Sequence, residues 1–184
     1  SNGGEIVDAH SLVRSGKAVQ HKKQKSSDQE IRRTLRTLGM AFHNYRDMFN
    51  RFPPAGPPDN FDKNGKPHLS WRVHILPYLD QQNLYNKFHL NEPWDSPHNK
   101  ALVSLIPDLY RSPGDSSDIF KTRFLILSGP NSFYPGKKGL SIREIKDGTS
   151  NTIQTVHAGP EKAVIWTKPE DMEFKTDFQL SDLG

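Results

Sequence analysis

Six apolar residues, Ile31, Leu35, Leu38, Phe42, Tyr45 and Phe49, recur at steps of four, three, four, three and four. That spacing puts all six on one side of an α-helix and scatters them over both faces of a strand. Ser27-Asp28-Gln29-Glu30 has the form of a capping box, with Ser27 accepting from the Glu30 amide and Glu30 reaching back. The pattern predicts a helix from about 28 to 50, ending near Asn50 ahead of Pro53-Pro54. Gly39 costs about 1 kcal/mol against Ala inside a helix, which marks a place for close packing. An amphipathic helix of this length must lay its stripe on something, and the rest of the chain has to supply that surface.

The stripe is expected against the sheet, and the aromatic stretch from Leu69 to Lys100, with two of the three Trp and two of the five Tyr, is where a core should gather. Each such ring buries a large apolar area. Ser70 can cap a second helix carrying Trp71, Ile75, Tyr78, Leu79, Tyr85 and Phe88. Pro77 lacks an amide, so a break is expected between about 71–77 and 78–88. Trp71 should be buried with its indole N–H paired, and Trp94 half-buried. Asp95-Ser96-Pro97 reads as a cap followed by proline in the first turn. A short helix to about Leu105 should bury Leu102, Leu105 and Ile106. Before this stretch, Phe52 to Pro58 is a stiff connection and Asn64-Gly65 a turn.

Further on the character changes. Leu109 to Pro113 looks extended, Arg123 to Leu127 reads as a strand, and Thr152 to Ala158 alternates as a half-buried strand does. Ala163 to Trp166 follows closely enough to pair with it as a hairpin across Gly159-Pro160-Glu161-Lys162. Helices first and strands later predict an α+β fold with an antiparallel sheet.

Charge divides the chain. Residues 1–36 carry eight Lys/Arg against four acids and so hold the whole net charge of +4. The remainder is balanced. Residues 1–26 read as a basic flexible arm, weakly patterned by Ile6, Leu12, Val13 and Val19, and residues 27–184 as a single domain. The basic segment has no aromatic before Phe42, which argues against nucleic acid as a partner. The longest aliphatic run, Phe124 to Leu127, is far short of the roughly 20 residues that span a bilayer. A removed N-terminal anchor remains compatible with that. With no cysteine, disulfides, thiol catalysis and thiolate metal sites are excluded.

Catalytic signatures are absent: there is no Gly-x-Ser-x-Gly elbow, no glycine-rich phosphate loop and no zinc-protease His pair around a Glu. No catalytic residue, cofactor or metal is therefore assigned. Asp115 and Asp118, in one oxygen-rich turn, and Asp147, in another, are weak calcium candidates. Ordinary Asx turns explain both segments equally well. Trp94, Asp95, His98 and Asn99 form the most polar-aromatic cluster. An exposed ring beside Asp, His and Asn could bind a sugar or a peptide, while the plainer reading is a helix cap under a packed Trp.

Longer blocks carry a resemblance. Leu38 to Tyr45 with Arg51 to Ala55, Ser70 to Tyr85, Glu92 to Lys100, Asp147 to Thr152 and Trp166 to Asp171 resemble the domain of unknown function 1559, a family greatly expanded in planctomycete bacteria. The likeness covers about residues 31–184. It implies a pilin- or pseudopilin-like plan, with a long N-terminal helix on an antiparallel sheet. It also implies display at the cell envelope, periplasmic or extracellular. Protein partners, self-association or a surface polymer would be the contacts. It implies no activity. An enzyme acting on a cell-surface polymer or carbohydrate is the alternative. Departures are the polar arm in place of a prepilin-type hydrophobic leader helix and the absence of two cysteines the family often has. The sequence also ends at Gly184, short of a C-terminal His, nine residues, Asp-Gly motif.

Overall fold

A computed structural model describes residues 9–53, 60–114, 119–129, 132–134, 139–146, 148–149, 152–175 and 177–184, with side chains from Val19 onward. Its spine is helix α1, Ala9–Phe49. The helix starts well before Ser27, so the expected cap lies in its interior. Ser27 instead donates its hydroxyl to the Pro113 carbonyl at 3.4 Å. No proline or glycine pair breaks residues 9–26, and helix propagation adds a hydrogen bond for each residue fixed. At the other end Asn50 takes a left-handed conformation, φ 56°, and stops the helix.

The stripe is buried where the body meets it. Leu38, Phe42 and Tyr45 are in the core, Ile31 and Leu35 lie half-buried at its edge, and Phe49 is 51% exposed. That last residue departs from expectation: its ring rests on Tyr45, centroids 4.5 Å apart, and about half of its surface stays exposed. Phe42 meets Trp71 at 5.0 Å and Tyr134 at 6.1 Å.

The aromatic stretch breaks into three short helical pieces: α2 (Trp71–His74), a 3₁₀ turn (Leu76–Leu79) and α3 (Gln82–Tyr85). Pro77 sits at the start of the 3₁₀ turn and Asp80 ends it at φ 58°. Ser70 caps α2 by accepting from the Arg72 amide, as the sequence predicts. Next comes α4 (Pro97–Ala101), continuing as 3₁₀ through Leu105. Ile106 is buried there, but Leu102 is only half-buried and Leu105 is exposed, because the loosened last turn faces outward. Asp108–Tyr110 is a 3₁₀ turn rather than extended chain, and it aims the Tyr110 hydroxyl at the Arg72 carbonyl, 2.8 Å. Trp166, Tyr110 and Phe88 close this core, and the Trp166 indole donates to the Val103 carbonyl at 2.8 Å.

Among the described residues the strands are six two-residue pieces arranged around one extended segment. β1 (Lys121–Thr122), β2 (Phe124–Leu125) and β3 (Leu127–Ser128) run consecutively along it. β1 pairs antiparallel with β5 (Val164–Ile165), β2 antiparallel with β4 (Val156–His157), and β3 parallel with β6 (Met172–Glu173). The expected hairpin between residues 152–158 and 163–166 does not form. Pro160–Lys162 is a 3₁₀ turn that separates the two, and each pairs with the central segment instead. The fold is α+β, as expected, with small pairings in place of a broad sheet. A second, smaller core of Leu125, Leu127, Val156 and Ala158 packs against Val164, Met172, Phe174 and Phe178.

Candidate functional site

Of the four residues singled out at 94–99, Asn99 is fully buried and structural. Its Oδ1 accepts from the His89 amide at 3.0 Å. Its Nδ2 lies 2.9 Å from the His89 carbonyl, 3.1 Å from that of Glu92 and 3.2 Å from that of Pro93. One side chain thus replaces the backbone partners that an irregular loop cannot supply itself. Ser96, not Asp95, caps α4: its hydroxyl accepts from the Asn99 amide at 3.2 Å. Asp95 lies exposed one residue outside the helix, too early to reach its first amides.

Trp94 is half-buried, with its amide on the His68 carbonyl at 2.8 Å and the Lys168 ammonium 5.9 Å from its ring centre. His98 is exposed. Its Nε2 meets the Lys87 carbonyl at 2.7 Å, and its ring stacks on His89 with centroids 3.5 Å apart and planes 1° from parallel. His89 Nδ1 in turn lies 2.9 Å from Glu92 Oε1. The cluster is therefore two exposed imidazoles on a loop that Asn99 holds. His89 was not singled out from sequence. Its pairing with His98 depends on the turn at 90–96 folding back, which no local pattern announces.

A second polar centre lies under the aromatic core. The Arg72 side chain is 0% exposed and Asp171, 99 residues later, 11%, with Nη2 to Oδ1 2.6 Å. Arg72 also donates from Nε and Nη2 to the Phe124 carbonyl, 3.0 and 2.9 Å, and from Nη1 to Ser70 Oγ, 2.8 Å. Asp171 accepts from the Trp71 indole at 3.1 Å and from the Ile126 amide at 3.0 Å. Burial pushes the Asp171 carboxyl up, against the pull of Arg72 and of these donors. The network joins α2, the central strand segment and the C-terminal chain. A charged residue beside Trp71 in the most aromatic stretch was the available signal for Arg72. Nothing in the sequence said that Asp171 was its partner.

Asp171 also lines two concavities. One is a small apolar niche of about 140 Å³ beside Trp71, Leu69 and Ile126. The other is an open cleft of about 600 Å³ with Leu125, Val164, Met172 and Phe178 in its wall and Glu161, Glu170, Glu173, Asp177 and Asp182 around it. Its carboxylates outnumber Lys162 and Lys175, so it favours cationic or hydrogen-bond-donating groups. Asp115, Asp118 and Asp147 lie outside the described residues. Among those described, no group of three or more His, Asp or Glu is set to hold a metal ion.

One comparison places this geometry in a family. The sequence profile described as protein of unknown function (DUF1559) matches residues 32–125, from the buried half of α1 to the central strand segment. No curated protein and no solved structure matches the chain.

Proposed function

We infer the role of this chain, which belongs to the DUF1559 family of proteins of unknown function, from its own geometry. We propose that it is a non-enzymatic structural or binding module of the cell envelope or the secreted space, built on a pilin- or pseudopilin-like plan. The observation that carries this is the division of α1. From Leu38 to Tyr45 its stripe is buried, whereas from Val19 to Glu30 the side chains are exposed on every face except at Ser27. A helix half docked and half projecting offers its free half to a neighbour. Here that half is polar and basic, with Lys22, Lys23 and Lys25. No helix among the described residues is long and apolar enough to cross a membrane. The projecting part therefore suits contact with protein partners or an anionic surface polymer.

Fractionation of the native host, with protease treatment of intact cells, tests the placement. The full gene product should appear in the envelope or medium and be shaved from outside. Confinement to the cytosol would overturn the reading. The acid-rich cleft gives the enzymatic alternative its one specific support. Incubation with purified cell-wall polysaccharide should release no reducing ends. Release that Glu170→Gln abolishes would replace the structural role by hydrolysis of a surface polymer.

A further inference from the structure

Two exposed surfaces among the described residues carry opposite charge, and the fold uses neither. The first is the projecting part of α1. From Val19 to Ser26 it holds Lys22, Lys23 and Lys25 and no acid. Val19, Lys22, Lys23 and Ser26 fall at i, i+3, i+4 and i+7, so they share one face, with the Pro113–Gly114 turn at its edge. Val19 is 66% exposed. None of the three lysines has an ion-pair partner among the described residues.

The second surface is the open cleft of about 600 Å³. Residues 161–182 hold six Asp and Glu against three Lys, a net charge of −3. Of the carboxylates at the cleft, Asp171 is committed to Arg72, Glu170 to Lys168 and Asp182 to the Gln179 amide. Glu161 and Asp177 have no ion-pair partner among the described residues, and Glu173 has only Lys175 at 3.9 Å. Val164, Met172 and Phe178 supply an apolar wall between them. One surface thus joins an apolar group to cations and the other an apolar wall to anions. Opposite charges of this kind steer the approach over about 10 Å at 0.1 M salt, and apolar contact then removes Val19 from water. The two surfaces share no residue. α1 runs unbroken from Ala9 to Phe49, so its free part cannot bend back onto the cleft of its own chain.

We propose that the projecting part of α1 docks in the acid-rich cleft of a second copy of this chain. Lys22 and Lys23 meet the uncommitted carboxylates and Val19 meets the apolar wall. The inference rests on reading that half-helix as a contact surface, and it names the partner. The surface that enters differs from the surface that receives, so the contact is heterologous. Each copy binds one neighbour through its helix and another through its cleft, and the contacts propagate into an open filament or close into a ring.

Sedimentation velocity of the full chain tests this. Oligomers should grow with concentration at about 50 mM salt, and raising salt to about 0.5 M should weaken association about tenfold or more. Lys22→Glu with Lys23→Glu should leave a monomer at low salt, and so should Glu173→Lys with Asp177→Lys. All four side chains are exposed, so the unfolding midpoints should not move. Mixing the two variants one to one should restore growth, because every contact is then the native pair or its charge-swapped image. A parent chain that stays monomeric at low salt, oligomers that survive either reversal, or a mixture that stays monomeric would overturn the proposal. Monomers that still bind an anionic polymer through Lys22 and Lys23 would overturn self-association while leaving the half-helix a contact surface. Fractionation of the host, which tests the placement at the envelope, can fail or succeed independently of this result.

Discussion

His74 is enclosed in the core, and neither ring nitrogen has a hydrogen-bond partner. Burial lowers its pKa from 6.5 to about 4, so the native ring is neutral. Below pH 6.5 the unfolded chain takes up a proton that the fold refuses. Stability is then lost as pH falls, over the window from about 6.5 to 4. That difference in pKa corresponds to a loss on the order of 3 kcal/mol by pH 4. His157 acts in the same direction: burial, then Arg123, brings it to about 4. Urea unfolding between pH 7 and 4 should show the decline, and His74→Leu should flatten part of it; an equal slope in both proteins would exclude His74 as a source. The Arg72–Asp171 pair gives the second residue-scale expectation. Asp171→Ala leaves a buried guanidinium, the Trp71 indole and the Ile126 amide without their acceptor. It should cost about 3–5 kcal/mol in urea titrations. A loss under 1 kcal/mol would mean that water enters and replaces the carboxylate.

At the scale of elements, α1 and α4 respond differently to single changes. Phe42 is buried between Trp71 and Tyr134, so Phe42→Ala should cost roughly 3–5 kcal/mol. Thermal unfolding that matches the parent would show that α1 is not the spine of the fold. In α4 the capping bond belongs to Ser96, so Ser96→Ala should cost about 1 kcal/mol. Asp95→Ala should stay within about 0.5 kcal/mol. The reverse order in denaturant midpoints would return the cap to Asp95. The stripe of α1 could be read because helix periodicity is local: residues three and four apart report on one face without knowledge of the rest. The start of α1 could not. A capping box raises the propensity for a helix end, but it does not stop a polar helix that continues upstream. The hairpin at 152–166 failed for a related reason. Strand pairing is non-local, and two adjacent extended segments both found a better partner in residues 121–128.

For the whole molecule, the projecting half of α1 contributes exposed surface and almost no core. Removal of residues 1–26 should leave the unfolding midpoint within a degree or two while lowering salt-sensitive binding to anionic polymers. Unfolding of the truncated chain would show that the projection is needed for stability. Much of the architecture rests on properties that belong to short stretches. The apolar stripe, the break at Pro77, the cap at Ser70, the separation of charge into residues 1–36 and the order of helices before strands all follow from neighbours along the chain. The family likeness is of the same kind, since it lies in contiguous blocks. The tertiary structure alone decided that Arg72 meets Asp171 across 99 positions, that Asn99 faces inward rather than toward a ligand, and that His89 stacks on His98. In each of these, the role of a polar side chain depends on which backbone groups and charges surround it after folding. Residues distant in sequence supply that environment for Arg72, and a turn that folds back supplies it for Asn99 and the two histidines.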